Sequence, residues 1–171
     1  MKGRLLLKKQ TLIGLLIALL ILVLAVAAMI FFFSAQDKDQ SSDTSKIVTQ
    51  RLLERFYPDY DQLTKKQKRV LLRQYQPTVR KTAHVLEFML LGALLFLLVH
   101  GLKARWAGLI AWITGTLYAV TDEIHQTAVS GRAGRITDVG FDSGGVLLGI
   151  LLGLLLLRLF RRIFEKGKTA A

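Results

Sequence analysis

WAGLIAWITGTLYAVTDEIHQTAVSGRAGRITDVGFDSGGVLLGILLGLLLLR, residues 106–158, decides the fold. An apolar run ends on Asp122 and Glu123, a short link containing Gly and Arg follows, and a second apolar run opens on Asp138 and Asp142. Carboxylates, His125, Gln126, Arg132 and Arg135 are thereby gathered between two segments of membrane length. Acidic groups at the ends of apolar helices are costly unless solvated or paired, so the gap between the runs is the first candidate for a functional polar site.

The rest of the chain repeats this pattern. Its 171 residues are 52% hydrophobic and carry a formal charge of +12, with apolar residues in long blocks and charges between them. A nucleic-acid binder would need its cations on a soluble surface, whereas these flank apolar blocks, as membrane orientation and anionic lipid surfaces require. There is no cysteine, which excludes disulfides, thiolate catalysis and Cys-ligated zinc.

Residues 11–35 contain no charge and follow a short basic tail. About 20 such residues cross a hydrocarbon core of roughly 30 Å. A cleaved signal peptide also begins with a basic tail, but its apolar core is shorter and ends in small residues, whereas this run ends in Phe31, Phe32 and Phe33. The expectation is an uncleaved first span with a cytoplasmic N-terminus.

Residues 36–80 are too polar to span. Ser42 or Asp43 is a possible N-cap for a short amphipathic helix carrying Ile47, Leu52, Leu53 and Phe56 and ending near Tyr57-Pro58. A second short helix is expected over 64–75, capped by Thr64, with Pro77 marking a boundary or the first turn of the next helix. These helices are read either as lying on the membrane surface or as a solvated loop over the bundle.

The predicted fold is therefore all-α: a bundle of four transmembrane helices, about 11–34, 82–100, 106–124 and 138–158, in one domain, with short amphipathic helices in an extracytoplasmic region of about 36–80. The basic N-terminal tail, the Lys103/Arg105 turn and the basic C-terminal tail all fall on one side in a four-span topology, which places both termini in the cytoplasm. The middle region dissents, being basic too. In the last span Asp138, Asp142, Gly145, Gly149 and Gly153 form one stripe, which predicts close backbone packing below and carboxylates aimed into the same interface above.

Folding the spans brings Arg80, Lys81, His84 and Glu87 near Tyr118, Asp122, Glu123 and Gln126, with Arg132, Arg135, Asp138 and Asp142 above them. Arg forks can hold a phosphate or pyrophosphate, and a histidine or buried carboxylate can exchange a proton. The same residues can equally form a satisfied structural network that sets helix register. No HExxH pattern occurs, and no metal or cofactor is expected.

RKTAHVLEFMLLG (80–92) and YAVTDEIHQTAVSGRAGRITDVGFDSGGVLLG (118–149) together resemble the VanZ-like family of small bacterial multi-pass membrane proteins. The resemblance rests on Arg80, Lys81, His84 and Glu87, on Glu123 and Gln126, and on Arg132, Asp138, Asp142, Gly145 and Gly149. FFSAQ, through Ser34 and Gln36, resembles the end of the family's first helix. Phe88 stands where an acid-Tyr pair is often seen, and Asp142 where Asn is frequent, so this chain adds a charge there.

The family takes its name from a protein associated with glycopeptide resistance. The reading that follows is a bacterial cell-membrane protein that binds, and in one version modifies, an anionic amphiphile at the extracytoplasmic face. A cell-wall lipid precursor or a phospholipid would fit, linking the protein to the cell envelope and antibiotic resistance. His84, Glu87, Asp122 and Glu123 are the candidate catalytic residues. Arg80, Lys81, Tyr118, Gln126, Arg132, Arg135, Asp138 and Asp142 are the candidate binding residues. Expected partners are membrane lipids, anionic or isoprenoid-phosphate lipids among them, and no nucleic acid. The competing readings are a non-enzymatic protein that shields the cell surface from glycopeptide or lipopeptide, and a small oligomeric transporter.

Overall fold

In a computed structural model the chain forms five α-helices and one 3-10 turn, and no strand among the described residues, which are 2–36, 38–130 and 134–169. Side chains are described for residues 6–7, 9–36, 43–130 and 134–163. The helices are α1 (Lys2–Ser34), α2 (Lys38–Phe56), α3 (Lys65–Gly101), α4 (Ala107–Thr127) and α5 (Ile136–Thr169). Three of them, α1, α3 and α5, contain stretches long and apolar enough to cross a membrane. The protein is thus an all-α, multi-pass membrane protein. Helix α4 is shorter, and Asp122 and Glu123 close its apolar run.

Small residues set the packing. Glycines of α5 lie against the backbone of α3: a Cβ on Gly145 would meet the Val85 carbonyl oxygen at 2.6 Å, and one on Gly149 would overlap the Met89 carbonyl oxygen. Gly92 of α3 returns the contact against the Val146 backbone. Lipid removes the hydrophobic drive between helices, so such close approach is what dispersion and shape need to hold them together. The contacts advance in the same sense along both chains, from Val85 with Gly145 to Phe96 with Gly153, so α3 and α5 run parallel. Helix α4 packs antiparallel to α5. Its buried stripe is Ala107, Ala111, Gly115 and Ala119, a small residue every fourth position. Val146 fills the space at Gly115. Trp112 Nε1 donates to Ser143 Oγ at 3.0 Å, and Thr116 shares the same hydroxyl at 2.8 Å.

Helix α1 buries a narrow stripe, Val23, Val26, Ile30 and Ser34, and leaves Leu20, Leu24 and Phe32 exposed. A single helix with apolar side chains almost all round is stable in that state only against lipid. Tyr118 ties it to α4 by donating to the Ala27 carbonyl at 2.6 Å.

Two local expectations are corrected. Residues 64–75 are not a separate helix: they form the first turns of α3, which runs unbroken through Pro77. Proline removes one N–H and crowds one carbonyl, but the flanking sequence, rich in Lys, Arg, Gln and Leu, carries the helix past it. Thr64 caps as expected, in a capping box with Gln67, whose side chain accepts from the Thr64 N–H at 2.9 Å. Helix α2 starts at Lys38, so Ser42 and Asp43 lie inside it, not at its N-cap. No Gly or Pro interrupts residues 38–56, and the end at Phe56, before Tyr57-Pro58, is as expected. At 37 residues, α3 is longer than the ~20 that span a bilayer, so its N-terminal part, with α2 packed on it, stands beyond the apolar layer. Helix α5 likewise extends past residue 158 into the basic tail.

Candidate functional site: a histidine shared by three carboxylates

Four helices converge where the last turn of α1, the middle of α3, the last turns of α4 and the first turns of α5 reach one level. At the centre is His84. Its Nδ1 lies 3.2 Å from Glu87 Oε2, one turn on along α3, and its Nε2 lies 3.2 Å from Asp122 Oδ2 on α4. The same Nε2 is 3.6 Å from Asp142 Oδ2 on α5. Phe88, fully buried, presses edge-on against the imidazole with ring centres 5.2 Å apart and so holds its plane.

Asp122 Oδ2 also accepts from Ser34 Oγ at 2.9 Å and from Gln126 Nε2 at 2.9 Å. Four residues from three helices thus meet at one oxygen, which locks α1, α3 and α4 together. Its second oxygen, Oδ1, and Asp142 Oδ2 are buried with no hydrogen-bond partner among the described residues. The side chains of Asp122 and Asp142 are 1% and 2% exposed. Buried carboxylate oxygens without donors carry a large desolvation cost, and that cost is concentrated here.

Around this hub, Lys81 pairs with Asp138 at 2.7 Å, joining α3 to α5. Glu123 accepts from the backbone N–H of Arg135, which anchors the link before α5 to the end of α4. A cavity of about 220 Å³ opens beside the hub. Arg80, Lys81, His84, Glu87, Glu123, Gln126, Asp138 and Asp142 form its polar wall. Phe33, Val48, Val79, Ala83 and Phe141 form its apolar wall. Helix α2 covers one side with Thr44, Ser45 and Val48, held down in part by Gln76 Nε2 donating to Ser45 Oγ at 3.0 Å. The ammonium of Lys81 sits 4.9 Å from the centre of the Phe141 ring, and Phe141 is 55% exposed. Charge and apolar surface therefore meet at the cavity's rim.

With this geometry in hand, the comparison with known families is decisive: a family model described as VanZ/LLP1 matches residues 16–160. The chain belongs to the VanZ/LLP1 family. This is a family of membrane proteins linked to antibiotic resistance. No curated protein and no solved structure matches the chain.

Of the candidate residues read from sequence, this VanZ/LLP1 protein brings most to the cavity wall, with Asp122 directly behind. Tyr118 is placed elsewhere, with its hydroxyl spent on α1. Arg135 meets the site through its backbone, and Arg132 lies outside the described residues. His125 stacks on Phe31 of α1 with centres 4.5 Å apart, away from the hub. Sequence reading omitted Ser34 from the site residues, and also Thr44 and Ser45. A lone hydroxyl and amide closing an apolar helix, Ser34 and Gln36, are the signal that marks the first. Nothing in the α2 sequence singles out the others. Among the described residues no group of three or more His, Asp or Glu side chains is placed to hold a metal ion.

Proposed function

We propose that the cavity binds the head group of a phosphate-bearing amphiphile at the extracytoplasmic face, with cell-wall lipid precursors and phospholipids as the substrate class. The observation that carries this reading is the two-sided cavity: polar on the wall that holds His84 and Arg80, apolar on the wall that holds Phe141 and Val48, and set at the level where α3 leaves its apolar stretch. Its volume, about 220 Å³, is below the ~300–1,000 Å³ usual for whole small-molecule ligands, and so suits a head group whose tails stay in lipid. Arg80 faces the phosphate, with Lys81 beside it. Gln126, Asp138 and Asp142 contact the remainder, and Tyr118 supports the wall through α1. Both ring nitrogens of His84 already face carboxylates, which favours binding over proton transfer to or from the ligand. Through this binding the protein contributes to envelope homeostasis and to resistance against glycopeptides or lipopeptides.

The proposed topology has four spans and both termini in the cytoplasm. Parallel α3 and α5 support it: if both cross, the chain leaving α3 at Gly101 must return across the bilayer before α5 begins, and α4 is the segment that does so. Cysteine labelling tests this cleanly because the native chain has no cysteine. An impermeant maleimide is expected to reach Ser130→Cys in intact cells and Ala104→Cys only after permeabilisation. The reverse pattern overturns the orientation.

Glu123→Gln tests the function. The amide keeps the shape and one acceptor for the Arg135 N–H but removes the charge, so the variant is expected to accumulate normally and lose protection against glycopeptide in cells. The competing shielding reading draws on the basic face of early α3, where Lys68 lies 4.7 Å above the Tyr60 ring. It requires instead that neutralising Lys65, Lys66, Lys68 and Arg69 abolish protection while Glu123→Gln retains it.

A further inference from the structure

We infer that the head group held in this cavity carries a protonated primary amine as well as its phosphate, and that Asp142 is the residue that receives the ammonium. The inference rests on the amphiphile-binding reading above. Its basis is a mismatch of charge and of hydrogen bonding at the same spot. Among the described residues, five carboxylates, Asp122 among them, stand in or directly behind the cavity wall, against three cationic side chains, His84, Lys81 and Arg80. Lys81 is taken by Asp138 at 2.7 Å. Even a charged His84 is one cation among Glu87, Asp122 and Asp142. An interior of low dielectric does not hold such an excess unless something balances it.

Asp142 shows where the balancing group belongs. Its side chain is 2% exposed and lines the cavity, and its Oδ2 has no hydrogen-bond donor among the described residues. The nearest cation, His84 Nε2, is 3.6 Å away and closer to Asp122. A proton on that carboxylate would remove one negative charge of the excess and leave the others unbalanced. A ligand N–H entering from the cavity reaches Asp142 where its side chain lines the wall. An ammonium brings three donors and a positive charge to this carboxylate-rich wall, and Glu87 on the same wall offers a second acceptor. Arg80, on the same wall, is the partner for phosphate.

An ethanolamine phospholipid and an isoprenoid diphosphate bearing a lysine-containing peptide both present this chemistry. The test uses the full-length protein in detergent and native mass spectrometry to compare retention of four probes: phosphatidylethanolamine, the same lipid with its amine acetylated, a lysine-peptide isoprenoid diphosphate, and its acetylated form. In at least one pair the free amine is expected to bind about tenfold more tightly than the capped one, the effect of one charge-assisted hydrogen bond, and that pair identifies the source. In Asp142→Asn, which keeps the side-chain shape, the preference for the free amine falls to near parity. Equal binding of free and capped lipid by the native chain overturns the ammonium assignment and leaves the amphiphile reading standing. A preference that survives in Asp142→Asn moves the ammonium to another residue and overturns the role given to Asp142. Binding of none of the four overturns both readings.

Discussion

Replacing His84 by alanine is expected to destabilise the purified protein by about 3–5 kcal/mol, the usual effect of removing one partner from a buried ionic cluster. The reason is geometric. The imidazole is the group that stands between Glu87, Asp122 and Asp142, within 3.2 Å of the first two and 3.6 Å of the third. Without it, two carboxylates that are 1% and 2% exposed face each other with no shared cation. The loss should be strongly non-additive with Asp142→Asn, because neutralising one carboxylate relieves the repulsion that the first change exposes. Thermal or denaturant unfolding in detergent measures it. His84→Ala alone lowers the midpoint sharply, and His84→Ala with Asp142→Asn recovers part of the loss. A single variant as stable as the native chain would mean that the histidine does not hold the cluster.

The second large effect is expected at Gly149. Its missing side chain lets α5 touch the Met89 and Ala93 backbone of α3, atoms that cannot move aside as a flexible side chain can. Gly149→Ala should cost at least the ~1–3 kcal/mol of ordinary overpacking, and Gly149→Val should prevent the native α3–α5 contact from forming. Gly144 supplies the control from the same helix. A Cβ there meets nothing within 4 Å, so Gly144→Ala should be neutral or stabilise by roughly 0.5–1 kcal/mol through helix propensity. Accumulation in the membrane and unfolding midpoint separate the two. Equal tolerance of alanine at both positions would contradict the parallel packing described for α3 and α5.

These two positions also show how far the sequence could be read. The Gly145–Gly149–Gly153 stripe was legible because helical periodicity and small size together mark a close-packed face, and the face is the one against α3. The pairing of His84 with Glu87 was legible for the same reason, since positions three apart share a face. The meeting of His84 with Asp142, 58 positions later, was legible only as a consequence of topology. Its most telling detail, a buried carboxylate residue in a cavity wall, belongs to three dimensions. The region between the first two spans was misjudged in form. Pro77 looked like a boundary, yet α3 passes through it, so α2 packs on an extension of a membrane helix and not on a separate surface helix. Tyr118 was grouped with Asp122, one turn later on α4, but its hydroxyl donates to the Ala27 carbonyl of α1 and does not line the cavity.

The central claim, that the polar cluster is a binding site and not only a structural clamp, is tested most directly by what leaves the membrane with the protein. The native chain and His84→Gln, purified side by side in the same detergent, can be extracted and their lipids compared by mass spectrometry. The account predicts a phosphate-bearing amphiphile retained by the native chain and depleted from the variant. The same lipid complement in both would contradict it.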